Sequence, residues 1–352
     1  MKYISSLVTL ILITSCAVQL EDDKQVHDFV MGADISWLTE MEANGATFKD
    51  NLGRTCDCFE LLKDYGLQAV RLRVFVDPSE HGNWCNLQDV LSKAKRAKQA
   101  GMDIMIAFHY SDWWADPSHQ DIPALWSNHD YIQLKNDVRN HTFQVLTLLK
   151  ENNISPSWVQ IGNETSNGFL WPIGRATDNQ LHYAGLFKVG ADTAKQVFPD
   201  VKVIVHLDRG HDLDLYRWNL DILKKGGASW DVIGMSVYPF WAMQENHDLT
   251  AEMVIDASVN NMQILSDQYN CEVMVVETGM ECSRNGKICD EEVLRESKIL
   301  LEKLLVRVSQ LPKSTCTGVF YWEPECKPSQ YHLGAFTETG CPTIIMDAFR
   351  SF

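Results

Sequence analysis

Eight short apolar runs, rich in β-branched residues, alternate along the chain with segments of helical periodicity. Near-continuous apolar strands are typical of parallel sheets that are buried on both faces. Strand-then-helix repetition over about 250 residues or more predicts a single (β/α)8 TIM barrel. The alternative is an open doubly wound sheet, but the sequence lacks the Gly-rich phosphate loop expected after its first strand. The runs are FVMGADIS (29–36), AVRLRVFV (69–76), DIMIAFHYS (103–111), WVQIGNE (158–164), KVIVHLD (202–208), VIGMSVYP (232–239), EVMVVETG (272–279) and GVFYWEPE (318–325).

The first 28 residues differ from the rest of the chain. Lys2 precedes an apolar run from Ile4 to Ile13, which is too short to span a bilayer and is typical of an export signal. The string ITSC resembles the bacterial lipobox, so we interpret residues 1–15 as a signal peptide and Cys16 as lipidated. Residues 16–28 are then an acidic tether to a barrel domain at 29–352. The alternative is an ordinary cleaved signal with an incidental cysteine.

This interpretation predicts where the protein is found and what it contacts. Export and the lipid anchor place it on the bacterial outer membrane, at the cell surface, with no other membrane contact, and we expect a monomer. The net charge of −16 excludes nucleic acid as a partner, because phosphates are bound by clustered Lys and Arg. It also disfavours a polyanionic substrate. The eleven Trp residues suit the apolar faces of neutral sugar rings as well as a core.

Polar and ionisable side chains cluster where the predicted strands end. In a barrel of this kind the carboxyl ends of the strands carry the active site. The clustered residues are Asp34, Arg73, His109, Glu164, His206, Asp208, Tyr238, Glu277 and Trp322.

Two carboxylates, Glu164 after the fourth strand and Glu277 at the end of the seventh, predict glycoside hydrolysis. This reaction uses one carboxylic acid as a proton donor and a second carboxylate that attacks or stabilises the sugar. Glu164 is expected in the less positively charged surroundings, with a raised pKa, and Glu277 is expected to be ionised. A separation of about 5–5.5 Å would indicate retention of configuration, and about 6.5–9.5 Å inversion.

Neighbouring residues suggest how these two acids are held. Asn163 is expected to donate to a sugar hydroxyl, and Tyr238 to donate to Glu277. Arg71 and Arg73 leave the same face of the second strand. We expect Arg73, nearer the mouth, to keep Glu277 charged, and Arg71 to pair deeper with Asp34.

The motifs GADISW, RLRVFVDP, FHYSDWWADPSHQ, QIGNETSNGFLWPIG, HLDRG, VYPFW, VVETG and WEPE resemble glycoside hydrolase family 53, the endo-β-1,4-galactanases. The resemblance runs from about residue 29 to the C-terminus. It implies a retaining barrel enzyme that cuts β-1,4-galactan without an organic cofactor, with Glu164 as acid/base and Glu277 as nucleophile. It also implies a set of substrate neighbours, to which we add four further candidates. The neighbours are Arg73, His109, Trp114, Asn163, Tyr238 and Trp322, and the candidates are Asp34, Trp171, His206 and Asp208.

The segment after the seventh strand departs from the family pattern. Other members bind calcium there, but this chain reads MECSRNGKICDEE, and its Arg284 and Lys287 oppose a cation. We therefore predict a disulfide, Cys282–Cys289, in place of the metal, since exported cysteines meet an oxidising environment. We predict a second disulfide, Cys271–Cys316, because these cysteines lie six residues before Glu277 and Trp322 on adjacent strands.

Two alternatives remain open at this stage. A related barrel endo-glycanase acting on mannan or glucan would use the same carboxylates. A non-catalytic surface glycan-binding lipoprotein would keep the barrel as a scaffold, although loss of one carboxylate would then be expected.

Overall fold

Eight parallel strands close into a barrel in chain order in a computed structural model that describes residues 29–352. The predicted (β/α)8 barrel is therefore confirmed. The predicted signal peptide, Cys16 and the tether at 16–28 lie outside the described residues, and their interpretation stays a prediction. Within residues 29–352 no helix has the length and apolar character needed to cross a bilayer.

Each predicted apolar run overlaps one barrel strand. Two short antiparallel pairs lie outside the barrel, Phe48–Lys49 with Thr55–Cys56 and Ser283–Arg284 with Lys287–Ile288. The barrel strands are β1 (Val30–Asp34), β2 (Ala69–Val74), β3 (Asp103–Phe108), β4 (Trp158–Ile161), β5 (Lys202–Leu207), β6 (Val232–Val237), β7 (Glu272–Thr278) and β8 (Cys316–Trp322).

Helices connect successive strands and cover the outside of the barrel. A capping box of Asp130 and Gln133 begins the helix Tyr131–Glu151. The helices are α1 (Leu38–Ala43), α2 (Cys58–Asp64), α3 (Leu87–Gln99), α4 (Tyr131–Glu151), α5 (Gln180–Val197), α6 (Leu213–Lys225), α7 (Pro239–Glu245), α8 (Ala251–Tyr269), α9 (Glu291–Ser309) and α10 (Asp347–Arg350). Short 3₁₀ turns occupy Ser79–His81, Ala124–Trp126 and Ile344–Met346.

The barrel interior is layered from apolar to charged. Alternate residues of a strand face the same side. Asp34 and Arg71 therefore face the barrel interior above the apolar layer, and they are paired in register across β1 and β2. A plug of apolar side chains fills the lower part of the barrel, and the buried charged pair of Asp34 and Arg71 lies above it, directly beneath the carboxyl ends of the strands. The plug consists of Val30, Ala69, Met105, Trp158, Ile204, Val232, Met274, Val276 and Phe320.

The predicted disulfides are not formed in the structure. The nine described cysteines, which include Cys271, Cys316, Cys282 and Cys289, are free thiols. Cys316 is paired in register with Val273 rather than with Cys271, because Tyr321 is paired with Thr278, so that Trp322 does not lie level with Glu277. Equal spacing from Glu277 and Trp322 therefore does not place Cys271 level with Cys316. Cys282 and Cys289 do face each other, since the Cys289 N–H donates to the Cys282 carbonyl over 2.9 Å.

Candidate active site

A cleft of about 650 Å³ opens at the carboxyl ends of the strands. This volume is within the range of ligand sites in proteins. One wall is aromatic, with Trp114, Trp241, Trp322 and Tyr331, and the floor contains both predicted carboxylates. The other polar side chains of the lining are His109, Asp116, Ser118, His119, Asn163, Asp208, Arg209, His211, Ser236, Tyr238, Gln244 and Glu245.

Glu277 is held by an arginine and a tyrosine. Its Oε1 lies 2.8 Å from an Arg71 guanidinium nitrogen, and its Oε2 accepts from the Tyr238 hydroxyl over 3.2 Å. Burial raises the pKa of Glu277 above its usual value, and the Arg71 charge and the Tyr238 hydrogen bond oppose this rise. The predicted Tyr238 contact is confirmed. Both contacts favour the carboxylate form, which a nucleophile needs.

The predicted partners of the two arginines are wrong in one respect. Arg71 binds both Asp34 (2.6 Å) and Glu277, whereas Arg73 pairs with Glu323 and lies 3.7 Å from Asp34. Glu323 follows β8 directly and is fully buried, so it supplies a nearer anion for Arg73. Arg71 is therefore the residue that keeps Glu277 charged.

Glu164 lies in different electrostatic surroundings. Its Oε1 accepts from the Ser236 hydroxyl over 2.6 Å, and no arginine contacts it among the described ion pairs. Burial raises the pKa of Glu164 well above its usual range, and the negative charges of Glu277 and Asp208 act in the same direction. A carboxyl group with a raised pKa stays protonated at neutral pH and suits a general acid.

One neutral histidine, His109, lines the cleft, and a second, His206, lies beneath it. Burial lowers the pKa of both His109 and His206 well below the usual value, and the charge of Arg71 adds to this effect. The His206 Nδ1 lies 3.1 Å from the Asn163 Oδ1 and accepts from the Glu164 N–H over 3.3 Å. On the backbone donor we assign the proton to Nε2, which lies 2.9 Å from the Ser236 hydroxyl. This chain of hydrogen bonds orients Ser236 toward Glu164.

The spacing of the two carboxylates favours retention of configuration. One oxygen of Glu164, one oxygen of Glu277 and a ring nitrogen of His206 lie within 4.8 Å of one another. This is below the spacing of about 6.5–9.5 Å that inverting enzymes need for a water molecule. Such a trio also has the composition of a metal site. However, both ring nitrogens of His206 already have partners inside the protein.

The structure brings six of the ten predicted substrate residues to the cleft. They are His109, Trp114, Asn163, Asp208, Tyr238 and Trp322. Asn163 also supports the floor, because its Oδ1 accepts from Arg71 over 2.7 Å and its Nδ2 donates to the Ala115 carbonyl over 2.8 Å.

The other four predicted residues lie away from the open space. Asp34, Arg73 and His206 are enclosed by protein, with at most 1% of their surface exposed. We therefore correct their role from substrate contact to holding the residues above them. Trp171 is outside the cleft lining, where its indole N–H donates to the Asn167 carbonyl and Arg175 covers its ring.

Sequence reasoning missed several residues of the site. Ser236 lies on β6 two positions before Tyr238, which follows the strand, so strand alternation could have indicated it. Glu323 stands in the WEPE motif directly after β8. Trp241 belongs to the VYPFW motif, which gave it no role, and it is 42% exposed at the cleft. Tyr331 lies in a loop after β8 and has no sequence signal.

Comparison with known proteins identifies the family. The model of glycosyl hydrolase family 53 matches residues 30–342. The chain belongs to glycosyl hydrolase family 53. It is therefore a glycoside hydrolase, and the two carboxylates of its cleft lie where a barrel of this kind carries its active site.

Relatives of this family 53 enzyme resemble it over most of its length. It is 33% identical to an arabinogalactan endo-beta-1,4-galactanase of Thermothelomyces thermophilus, over 83% of this chain and 88% of the relative. It is 34% identical to a probable arabinogalactan endo-beta-1,4-galactanase A of Neosartorya fischeri, over 83% of each chain. The solved GH53 catalytic domain of Ignisphaera aggregans superimposes with a TM-score of 0.82 at 30% identity, covering 92% of this chain and 96% of that domain.

The Ser236 contact predicts a pH effect. The Ser236 hydroxyl stabilises ionised Glu164 and lowers its pKa, so Ser236→Ala should raise that pKa further. Because the acid must be protonated to act, the alkaline limb of the kcat/KM profile should move to higher pH. The shift should be up to about one pH unit, which corresponds to the free energy of one hydrogen bond to a charged group. Ser297→Ala is the control, since Ser297 is a buried serine on α9 that donates to the Glu281 carbonyl. An unchanged limb, or a shift to lower pH, would contradict the assignment of Glu164 as the acid.

Proposed function

We propose that this family 53 enzyme is an endo-β-1,4-galactanase that hydrolyses β-1,4-galactan with retention of configuration. The observation that carries the proposal is the approach of Glu164 and Glu277 to within 4.8 Å in a cleft of sugar-binding character. The activity named for the curated relatives supports galactan as the substrate. The alternatives of a mannan or glucan endo-glycanase and a non-catalytic glycan-binding protein have no such support.

The two carboxylates divide the reaction between them. In the first step Glu277 attacks the anomeric carbon while Glu164 gives its proton to the departing glycosidic oxygen, which forms a glycosyl ester on Glu277. In the second step ionised Glu164 takes a proton from water, whose oxygen attacks the anomeric carbon and releases Glu277. Both acids therefore return to their starting forms.

The neighbours of Glu277 favour this order of events. Arg71 and Tyr238 hold the attacking carboxylate as an anion before the first step. When Glu277 becomes an ester, its negative charge disappears, and one cause of the raised pKa of Glu164 disappears with it. Glu164 can then remain ionised long enough to act as a base in the second step.

The walls of the cleft provide the means to bind a neutral polymer. We propose that Trp114, Trp241, Trp322 and Tyr331 stack against galactosyl rings, since aromatic faces match the apolar faces of sugars. Neutral His109 can donate from Nε2, because its Nδ1 accepts from the Ala115 N–H over 3.2 Å. Asn163 and Asp208 add amide and carboxylate groups for sugar hydroxyls.

No organic cofactor enters this mechanism, because the two carboxylates suffice. For calcium, the segment after β7 contains Glu281, whose two oxygens are taken by Arg284 over 2.6 and 2.7 Å. Calcium prefers six to eight oxygen ligands, so a carboxylate already neutralised by arginine does not fit such a site. We propose that the enzyme acts without calcium at this segment.

Substrate choice tests the proposal directly. Potato galactan should give oligosaccharides of several lengths from the first minutes, as expected of an endo-acting enzyme, whereas galactomannan and carboxymethylcellulose should give none. Products from mannan or cellulose in preference to galactan would replace the proposed substrate.

The same assay on cells and medium tests the proposed surface anchor and monomer, because Cys16→Ser should release a monomeric active enzyme into the medium.

Substitution of the two acids tests their roles. Glu164→Ala should lose about 10²- to 10⁴-fold in turnover of galactan, and much less on an aryl galactoside whose leaving group needs no proton. Glu277→Ala should lose turnover while retaining much of its affinity for galactan, measured by calorimetry. NMR of the first products should show the β anomer. Full galactan activity in Glu164→Ala, or α-anomeric first products, would refute the assignment.

A further inference from the structure

The turn that carries Glu164 has an unusual backbone conformation. This acid turn, residues 163–166, lies just after β4, and Glu164 has a φ of 46° within it. That value lies in the left-handed region, which a residue with a side chain adopts only where its surroundings hold it in place. The contacts of the acid turn therefore show what directs the proposed acid.

One side-chain amide that contacts this turn comes from the long loop after β3. Gln120 is buried, and its Nε2 donates to the Asn163 carbonyl over 2.8 Å and lies 3.4 Å from the Glu164 carbonyl. The same nitrogen donates to the Asp116 carbonyl over 3.0 Å. Since three carbonyl oxygens face one end of the amide, that end is the NH2 group. The other end, Oε1, has no hydrogen-bond partner among the described residues, so donation is the only hydrogen bonding of this side chain.

A second side-chain amide reaches the turn from α6. Asn219 is fully buried, and its Nδ2 donates to the carbonyls of Thr165 and Ser166 over 2.9 and 3.0 Å. Its Oδ1 accepts from the Tyr183 hydroxyl over 3.0 Å, which fixes the orientation of the amide. The two amides together contact four successive carbonyl oxygens of the acid turn.

The two amides approach from both sides of β4. The loop with Gln120 follows β3, and α6 follows β5, and these are the two strands that flank β4 in the barrel. The N–H groups of Glu164 and Thr165 donate to His206, at its Nδ1 and its carbonyl, over 3.3 and 2.9 Å. The backbone around Glu164 is thus held by groups outside the turn, and these groups set the direction in which its carboxyl group leaves.

We propose that Gln120 and Asn219 are positioning residues, whose amides fix the backbone of the acid turn and thereby place the Glu164 carboxyl group at the glycosidic oxygen. Both side chains are at most 2% exposed and act on the sugar only through Glu164. A proton donor must lie within hydrogen-bond reach of the oxygen that it protonates. A displacement of about 1 Å can cost about 10²-fold in rate. The inference rests on the proposed role of Glu164 as the acid.

Two substitutions remove the amides one at a time. Gln120→Met keeps a long unbranched side chain without a donor, and Asn219→Leu replaces the second amide by an apolar group of similar size. Asn261→Leu is the matched control, because Asn261 is a buried residue of α8 whose amide donates to the Gly210 carbonyl over 3.0 Å. That carbonyl lies in the loop after β5, outside the acid turn. Glu164→Ala provides the pattern expected for loss of the acid.

Aryl β-galactobiosides with different leaving groups measure the action of the acid directly. A dinitrophenolate leaves without a proton, whereas a phenolate of high pKa needs one. Because kcat/KM reports the first step, Gln120→Met and Asn219→Leu should each lose about 10²-fold in kcat/KM on the phenyl substrate and little on the dinitrophenyl substrate. Asn261→Leu should change kcat/KM equally for the two substrates.

Equal losses on the two substrates in Gln120→Met and Asn219→Leu would show purely structural residues and overturn the proposal, and so would no loss on either substrate. Glu164→Ala separates this failure from failure of the proposed function. If Glu164→Ala also lacks the dependence on the leaving group, the acid assignment itself is wrong. If one of the two amide variants fails to fold, the other decides.

Discussion

The contact between Arg71 and Glu277 is the interaction on which the rest of the site depends. Arg71 is fully buried and binds Glu277, Asp34 and Asn163 together, over 2.8, 2.6 and 2.7 Å. A buried arginine without such partners would be strongly destabilising, and so would two ionised carboxylates as close as Glu164 and Glu277. The guanidinium therefore decides which of the two acids is charged.

The opposite side of the cleft completes this separation. Glu164 accepts a hydrogen bond from Ser236, which neutral His206 orients, whereas Glu277 pairs with Arg71. The two acids share one cleft and differ in their nearest partners, so their pKa values are driven apart by local contacts. Such a difference between neighbouring acids is the general requirement for a proton donor and a nucleophile to coexist at one pH.

The sequence predicted the barrel, its eight strands and both carboxylates, because strand periodicity and polar strand ends are local signals. The Arg71–Asp34 pair was predicted correctly, but Arg73 was assigned to Glu277, which Arg71 binds. Arg73 pairs with Glu323, which turns into the barrel only after β8 ends. The Cys271–Cys316 pairing failed because it assumed that Glu277 and Trp322 lie level, whereas Tyr321 is the residue paired with Thr278. Trp241 and Tyr331 reach the cleft through loops, whose course a linear pattern does not specify.

The central claim is that Arg71 keeps Glu277 ionised while Glu164 retains its proton. Carbon-13 NMR of protein labelled at the glutamate carboxyl groups measures this directly, with Glu164→Gln and Glu277→Gln used to assign the two signals. The account predicts that Glu277 titrates at lower pH than Glu164, and that the pKa of Glu277 rises in Arg71→Met. The reverse order of titration, or a Glu277 signal that is unaffected by loss of Arg71, would contradict it.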